Sequence, residues 1–248
     1  MIIKTDETVD LQTPTGSMRV HVFRPVQDGR FPAVILYSEI YQVTAPIERL
    51  GAMIAGQGYI VAIPEVYHEY EPAGTALAYD KEGTDRGNDL KYTKPVSAFD
   101  SDTAAIIAWL QNNPLCTGSI GAFGVCLGGH LAYRAALHPD VRATACFYAT
   151  DLHSATLGAG KSDDSLARAA DIKGELMMVW GQSDPHVPYA GRRMIRDRLE
   201  ETGTHLEWHE VNGQHAFLRD GAPRFDAALF LQAMNWTNAL FQRALTRG

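Results

Sequence analysis

The sequence predicts an α/β fold, with a mostly parallel, doubly wound sheet and helices on both faces, in a single domain over 1–248. Ala33–Ser38 and Tyr59–Ile63 are continuous apolar runs, as expected of strands that a parallel sheet buries on both faces. Segments with helical spacing, such as Ile47–Gly58, alternate with such runs. The hydrophobic fraction of 46% supplies enough apolar surface for one large core.

The remaining elements follow from local patterns. An early strand is predicted over Met18–Arg24, where apolar and polar residues alternate. The segment 64–95 is rich in Tyr, Gly and charged residues without a sustained period, so we expect a long loop acting as a cap or substrate-binding excursion. The other predicted strands are 119–123, 143–148, 175–180 and 205–211, and the other predicted helices are 96–111, 131–137, 189–202 and 222–245.

Composition excludes several function classes. The net charge is −7, from 29 acidic and 22 basic residues, and no Lys/Arg run occurs, so neither nucleic acid nor a membrane is an expected partner. The N-terminal stretch has no signal-peptide apolar core, and no segment is long and apolar enough for a membrane span. Three cysteines, an odd number, favour reduced thiols and hence a cytoplasmic protein. The sequence leaves the oligomeric state open.

The central motif is Gly124-Val-Cys126-Leu-Gly128-Gly129, between a predicted strand and a predicted helix. α/β Hydrolases carry their nucleophile in a G-x-S-x-G turn at this position. A nucleophile on so sharp a turn adopts a strained backbone, and flanking glycines allow the turn to close. The N-terminus of the following helix would favour a thiolate. The alternative is a glycine-rich turn around a buried structural cysteine.

Cys126, Asp184 and His215 follow three predicted core strands, and chemistry in open α/β sheets collects at the carboxyl ends of strands. The chain order of nucleophile, acid and histidine is that of α/β hydrolases. Cys126 would attack a carbonyl carbon, His215 would transfer the proton, and Asp184 would fix the imidazole tautomer. The oxyanion would be bound by the backbone N–H groups of Leu127 and Ile40.

Other chemistries have weaker support. Cys116 lies beside a turn and Cys146 inside a predicted strand, so no helix N-terminus activates either thiol. The pair His68-Glu69 is weak evidence for a metal, and no zinc-type spacing occurs. We therefore expect an enzyme without metal or other cofactor.

The chain resembles the dienelactone hydrolase family at Ser38-Glu-Ile-Tyr41, at the cysteine turn, and at the acid and histidine positions. The resemblance implies that Glu39 lies against the resting thiol and takes its proton when substrate binding rearranges the site. It also implies two arginines for a substrate carboxylate, which bidentate guanidinium groups suit. Arg219, four residues after the histidine, matches one of them. Arg86 is the candidate for the other, although 79–94 departs from the family pattern.

These observations predict a hydrolase that cleaves a small activated ester or lactone through a cysteine acyl-enzyme, and the resemblance implies that the substrate carries a carboxylate. A broader carboxylesterase or thioesterase on the same residues is one alternative. A non-catalytic protein that binds a small ligand, or senses oxidation through Cys126, is another. Ester turnover separates the enzymes from the binding protein, and dependence on a substrate carboxylate separates the two enzymes.

Overall fold

One eight-stranded sheet organises the protein, whose computed structural model describes residues 1–246. The strands are β1 (Ile3–Thr13), β2 (Gly16–Pro25), β3 (Phe31–Tyr37), β4 (Ile60–Pro64), β5 (Cys116–Val125), β6 (Val141–Phe147), β7 (Glu175–Gly181) and β8 (Leu206–Val211). The α-helices of the described chain are α1 (Ala45–Ala55), α2 (Lys81–Thr93), α3 (Val96–Asn112), α4 (Leu127–Ala136), α5 (Tyr189–Glu201) and α6 (Ala227–Leu245). Single 3₁₀ turns lie at 159–161 and 169–171.

The strand order is β1-β2-β4-β3-β5-β6-β7-β8. Strands β3 to β8 pair in parallel, whereas β1 and β2 pair antiparallel with their neighbours at one edge. This topology confirms the predicted mostly parallel α/β sheet.

Apolar side chains alternate between the two faces of the sheet. On β3, Ile35 packs into one hydrophobic core and Val34 into the other. The first core also takes side chains from α3, α4 and α5, and the second takes side chains from α1 and α6. Both faces are therefore covered, which explains why the central strands are continuous apolar runs.

The site lies at the carboxyl ends of the parallel strands, next to the point where the strand order reverses. Strand β3 lies between β4 and β5, so the connections that leave the carboxyl ends of β3 and β5 diverge and open a crevice. Residues 38–44 follow β3, and Cys126 directly follows β5. Asp184 and His215 follow β7 and β8, so all of these loops lie at one edge of the sheet.

Two elements differ from the expectation. Strand β1 was not predicted, and the segment 64–95, predicted to be a loop, contains the helix α2. Asp80 caps α2 by accepting a hydrogen bond from the Gly83 N–H at 2.8 Å. The helix was missed because the residues that it buries include two glycines and a lysine, which produce no apolar period.

Gly124→Ala should unfold the protein or lower its stability by about 3 kcal/mol or more, because a Cβ there would lie 1.8 Å from the Gly128 carbonyl oxygen. Gly56→Ala is the matched control. Its φ of −61° suits alanine, and its nearest contact would be 3.3 Å. We expect that control to stay within about 1 kcal/mol of the wild type in urea denaturation. Equal stability of the two variants would contradict the close backbone approach.

Candidate active site

Cys126 sits in a strained turn between β5 and α4. Its φ of 57° and ψ of −122° place a non-glycine residue at positive φ, outside the regions that L-residues normally occupy. Its N–H donates to the Phe147 carbonyl at 3.1 Å, and its carbonyl accepts from the Thr150 N–H at 3.3 Å. These bonds hold the turn on the β6 side, and the thiol remains partly exposed at the start of α4.

The flanking glycines are required by close backbone contacts. A side chain at Gly128 would bring its Cβ within 2.2 Å of the Tyr37 carbonyl oxygen, at the end of β3. A Cβ at Gly129 would lie 2.7 Å from the Phe147 carbonyl oxygen. The glycines of the motif therefore pack the start of α4 against the neighbouring strands, as the sequence motif predicts.

His215 is oriented by Asp184. The imidazole Nδ1 lies 2.7 Å from the Asp184 Oδ2, and both side chains are almost fully buried. The other carboxylate oxygen of Asp184 accepts the backbone N–H of His186 at 2.8 Å. Burial alone would raise the pKa of Asp184, but the hydrogen bond and charge of His215 outweigh burial and lower it. Asp184 is thus a charged anchor for the imidazole.

The structure brings His215 and Cys126 together. Because Nδ1 is bonded to Asp184, Nε2 is the imidazole nitrogen left to face Cys126, which lines the same cavity. Burial by itself lowers the pKa of His215, but the charge of the Cys126 thiolate and the hydrogen bonds to Asp184 and Cys126 outweigh burial and raise it. The raised pKa makes the imidazole of His215 a stronger base than a free histidine.

Two aromatic rings fix the plane of this imidazole. The Tyr148 and His186 rings meet the His215 ring edge-on, with centroids at 5.1 and 4.5 Å. Burial and the charge of His215 lower the pKa of His186. His186 therefore packs beside His215 as a neutral ring. The sequence had suggested only that His186 is too close to Asp184 along the chain to serve in the triad.

The expected oxyanion donors flank the thiol. Leu127 is the first residue of α4, directly after Cys126. Ile40 lies in the loop after β3 and lines the same cavity as Cys126, and within residues 1–246 its N–H donates no backbone hydrogen bond. Both residues are those that the sequence predicts as oxyanion donors for a group bound at Cys126.

Glu39 is buried in the wall of this cavity, but its hydrogen bonds go to residues other than Cys126. Its Oε2 accepts from the Tyr79 hydroxyl at 3.2 Å and from the Arg219 guanidinium at 3.4 Å. Burial raises the pKa of Glu39, even though the charges of Arg219 and His215 act to lower it. Glu39 thus forms an ion pair with Arg219 in the cavity that also contains Cys126.

Arg219 lies in the cavity as expected. Its guanidinium stacks over the Tyr79 ring at 4.4 Å and lies 5.8 Å from the centroid of Tyr41. Together with Glu39, these rings hold the charge in one position. Tyr79 was not expected in the site, and no signal in the sequence distinguishes it from the other tyrosines of its segment.

Arg86 does not reach the cavity. Its guanidinium pairs with Glu71 at 2.6 Å and with Asp89 at 3.3 Å, and its side chain is 42% exposed. At 3.6 residues per turn, Arg86 lies on the face of α2 opposite the cavity-lining residues. The residues of α2 that line the cavity lie three or four positions apart along the chain, or next to each other, and so share one face of the helix: Thr84, Asn88, Lys91 and Tyr92.

Lys91 and Tyr92 are bound by one aspartate across the cavity. The Lys91 ammonium lies 2.8 Å from the Asp151 carboxylate, and the Tyr92 hydroxyl donates to the same group at 3.0 Å. The cavity has a volume of about 530 Å³, enough for a small organic molecule. Its wall contains charged, polar and aromatic side chains, among them Glu39, Tyr41, Lys91, Cys126, Asp151, His215, Arg219 and Arg224.

A separate cluster joins His68, Glu69 and Asp102, whose potential ligand atoms lie within 4.8 Å of one another. The buried ammonium of Lys94 pairs with both carboxylates, at 2.8 Å from Glu69. The lysine therefore supplies the positive charge that a bound metal ion would otherwise supply to these carboxylates.

Fold and site define the class of protein: an α/β hydrolase with a cysteine at the sharp turn between β5 and α4. More closely, the chain belongs to the dienelactone hydrolase family, whose model matches residues 18–245, and it is a hydrolase of that family. This confirms the resemblance found in the sequence. Within residues 1–246, no helix is both long and apolar enough to cross a membrane.

Named relatives and solved structures agree with this assignment. A Saccharomyces cerevisiae protein named "Putative carboxymethylenebutenolidase" is 41% identical over 97% of this chain and 92% of its own. The carboxymethylenebutenolidase of Pseudomonas sp. strain P51 is 25% identical over 85% of this chain and 83% of its own. A Klebsiella pneumoniae structure titled "Putative Dienelactone Hydrolase" matches with a TM-score of 0.84, at 19% identity, over 98% of this chain and all of its own.

Cys126→Ala should lower the pKa of His215, because the thiolate is the largest of the influences that raise it. NMR titration of the imidazole in both proteins measures this shift. Cys116→Ala, which removes a buried thiol at the start of β5, should leave the titration unchanged. An unchanged pKa in Cys126→Ala would mean that no thiolate faces the imidazole.

Proposed function

We propose that the protein hydrolyses a small activated ester or lactone that carries a carboxylate, through an acyl-enzyme on Cys126. The observation that carries the proposal is the bond from Asp184 to His215 Nδ1, which leaves Nε2 for the Cys126 sulfur. That arrangement is the one that activates a nucleophile in triads of this kind. The relatives' name supports the substrate class, since a carboxymethylene butenolide is a lactone with a carboxyl group.

Substrate binding would begin at Arg219. A substrate carboxylate competes with Glu39 for this guanidinium, because both are anions and bidentate pairing with arginine is strong. Once Arg219 turns to the substrate, Glu39 loses the cation that acts to lower its pKa. Glu39 then becomes a better proton acceptor inside the same cavity as the thiol.

Acylation would follow from the thiolate. The Cys126 sulfur forms a bond to the carbonyl carbon, and the carbonyl electrons move to an oxyanion between the N–H groups of Ile40 and Leu127. Collapse of this intermediate breaks the bond to the leaving oxygen and gives a thioester. An enolate would leave readily, because its charge is delocalised.

Deacylation would use water. The enolate or the neutral imidazole of His215 accepts a proton from water, and the hydroxide attacks the thioester carbon. The carbon–sulfur bond breaks and Cys126 leaves as a thiolate, which the imidazolium of His215 stabilises. Cys126 takes its proton back from Glu39, and the products are a carboxylate, a proton and an enol or alcohol, so atoms and charge balance without any cofactor.

A general esterase on the same residues is the second candidate. It is favoured by the position of Arg86 outside the cavity and by the ion pairs that already neutralise Arg219 and Lys91. On this alternative the charges serve structure, and neutral acyl groups would be accepted as well as charged ones.

Cys126→Ala should lower kcat at least about 10³-fold on both a dienelactone and a neutral aryl ester, because it removes the atom that forms the acyl-enzyme. Circular dichroism should show an unchanged fold. Cys116→Ala serves as the thiol control and should keep nearly full turnover. Substantial activity in Cys126→Ala would place the nucleophile elsewhere.

Arg219→Ala should raise KM for a carboxylated ester about tenfold and change KM for a neutral ester less than about twofold, because only the former contains the anion. Arg86→Ala is the matched control and should leave both values unchanged, since Arg86 lies outside the cavity. Steady-state kinetics on the paired substrates measures the difference. Equal losses on both substrates in Arg219→Ala would favour the general esterase.

A further inference from the structure

A second concave surface lies along α5, away from the cavity that holds Cys126. This α5 groove, with a volume of about 840 Å³, runs between the helix and residues 166–167. The Arg198 guanidinium fixes its far wall by donating to the carbonyl oxygens of Leu166 at 3.4 Å and Ala167 at 3.0 Å. Hydrogen bonds from an α5 side chain to main-chain carbonyls therefore fix the shape of the groove.

Large apolar side chains are exposed in this groove. Tyr189 is 62% exposed and Met194 is 54% exposed, and both belong to α5. Single exposed apolar residues are normal on a protein surface, whereas these two share one groove. Methionine and tyrosine are also enriched at protein interfaces.

The same face carries opposite charges without partners. Within residues 1–246, neither Arg193 nor Asp197 forms an ion pair, although they are four residues apart on the helix and both line the groove. By contrast, Arg192, Arg196 and Arg198 each pair with a glutamate. The groove thus presents one free cation and one free anion beside the exposed Met194.

We propose that a second copy of this chain occupies the α5 groove, with the two α5 helices antiparallel across a two-fold axis. In such an interface, residue i of one copy meets residue j of the other, and j meets i. Arg193 and Asp197 lie equally far on either side of Ile195 along the helix. An axis level with Ile195 sets each Arg193 against Asp197 of the second copy and brings the two Met194 side chains together.

Charge complementarity identifies the occupant. One helix carries both halves of the ion pair at the spacing that a two-fold axis needs, so a second copy satisfies both charges at once. The patch is short and each chain carries a net charge of −7, so we expect a weak dimer whose population rises with protein concentration. This proposal does not depend on the proposed function, because the groove contains no residue of the catalytic cavity.

Sedimentation velocity over a concentration series tests the dimer. The wild type should shift from monomer to dimer as concentration rises. Met194→Glu should weaken the dimer about tenfold or more, because it sets two carboxylates together at the axis. Leu231→Glu is the matched control. Leu231 lies on α6 and is 62% exposed, close to the 54% of Met194, and its replacement should leave the dimer unchanged.

Charge exchange tests the pairing itself. Arg193→Asp and Asp197→Arg should each weaken the dimer about tenfold or more, because like charges then face each other. The double variant Arg193→Asp/Asp197→Arg should restore dimerisation, since both ion pairs re-form with reversed sign. Turnover of a neutral aryl ester, where the wild type has it, and circular dichroism verify folding of every variant.

A wild type that stays monomeric at every concentration would overturn the proposal. So would a dimer that tolerates Met194→Glu, or a double variant as weak as the single ones. None of these results bears on whether Cys126 is the nucleophile.

Discussion

The positive φ of Cys126 is the constraint on which the site depends. A cysteine at φ 57° stores strain of about 1 to 3 kcal/mol, so the surrounding structure must hold it there. Hydrogen bonds from its backbone to Phe147 and Thr150 do this on the β6 side. On the β3 side, Gly128 lets the start of α4 approach the Tyr37 carbonyl closely. The position of the thiol is thus set by the central strands and their spacing, and a side chain at the flanking glycines would displace it.

Charges around the cavity are compensated in pairs. His215 pairs with Asp184, Arg219 with Glu39, and Lys91 with Asp151. Breaking a buried pair is costly unless a new partner arrives, so each pair remains intact in the resting site. In the proposed function, a substrate carboxylate is such a partner for Arg219, and its arrival would release Glu39 as a base. The proposed mechanism therefore couples activation of the thiol to recognition of an anion.

The sequence was informative where one physical requirement selects few residues. Parallel strands buried on both faces produce long apolar runs, and the strained turn requires glycines, so the central sheet and the position of Cys126 could both be predicted. Strand β1 could not, because it is an edge strand with no fully buried residue and its pairing depends on β2. Arg86 was expected in the site only because the family resemblance implies a second arginine in this segment, whereas in the helix α2 it points away from the cavity.

Helix α2 explains how substrate recognition can be built without disturbing the catalytic centre. A Cβ at Gly87 would lie 2.4 Å from the Ile40 carbonyl oxygen, so the helix rests directly on the loop that carries the expected oxyanion donor. Gly83 makes a similar approach to Ala78. The glycines fix the distance between helix and loop, while the adjacent face presents Asn88 and Lys91 to the cavity. Because different residues perform these two tasks, the cavity-lining face can change with the substrate as long as the glycines keep the oxyanion loop in place.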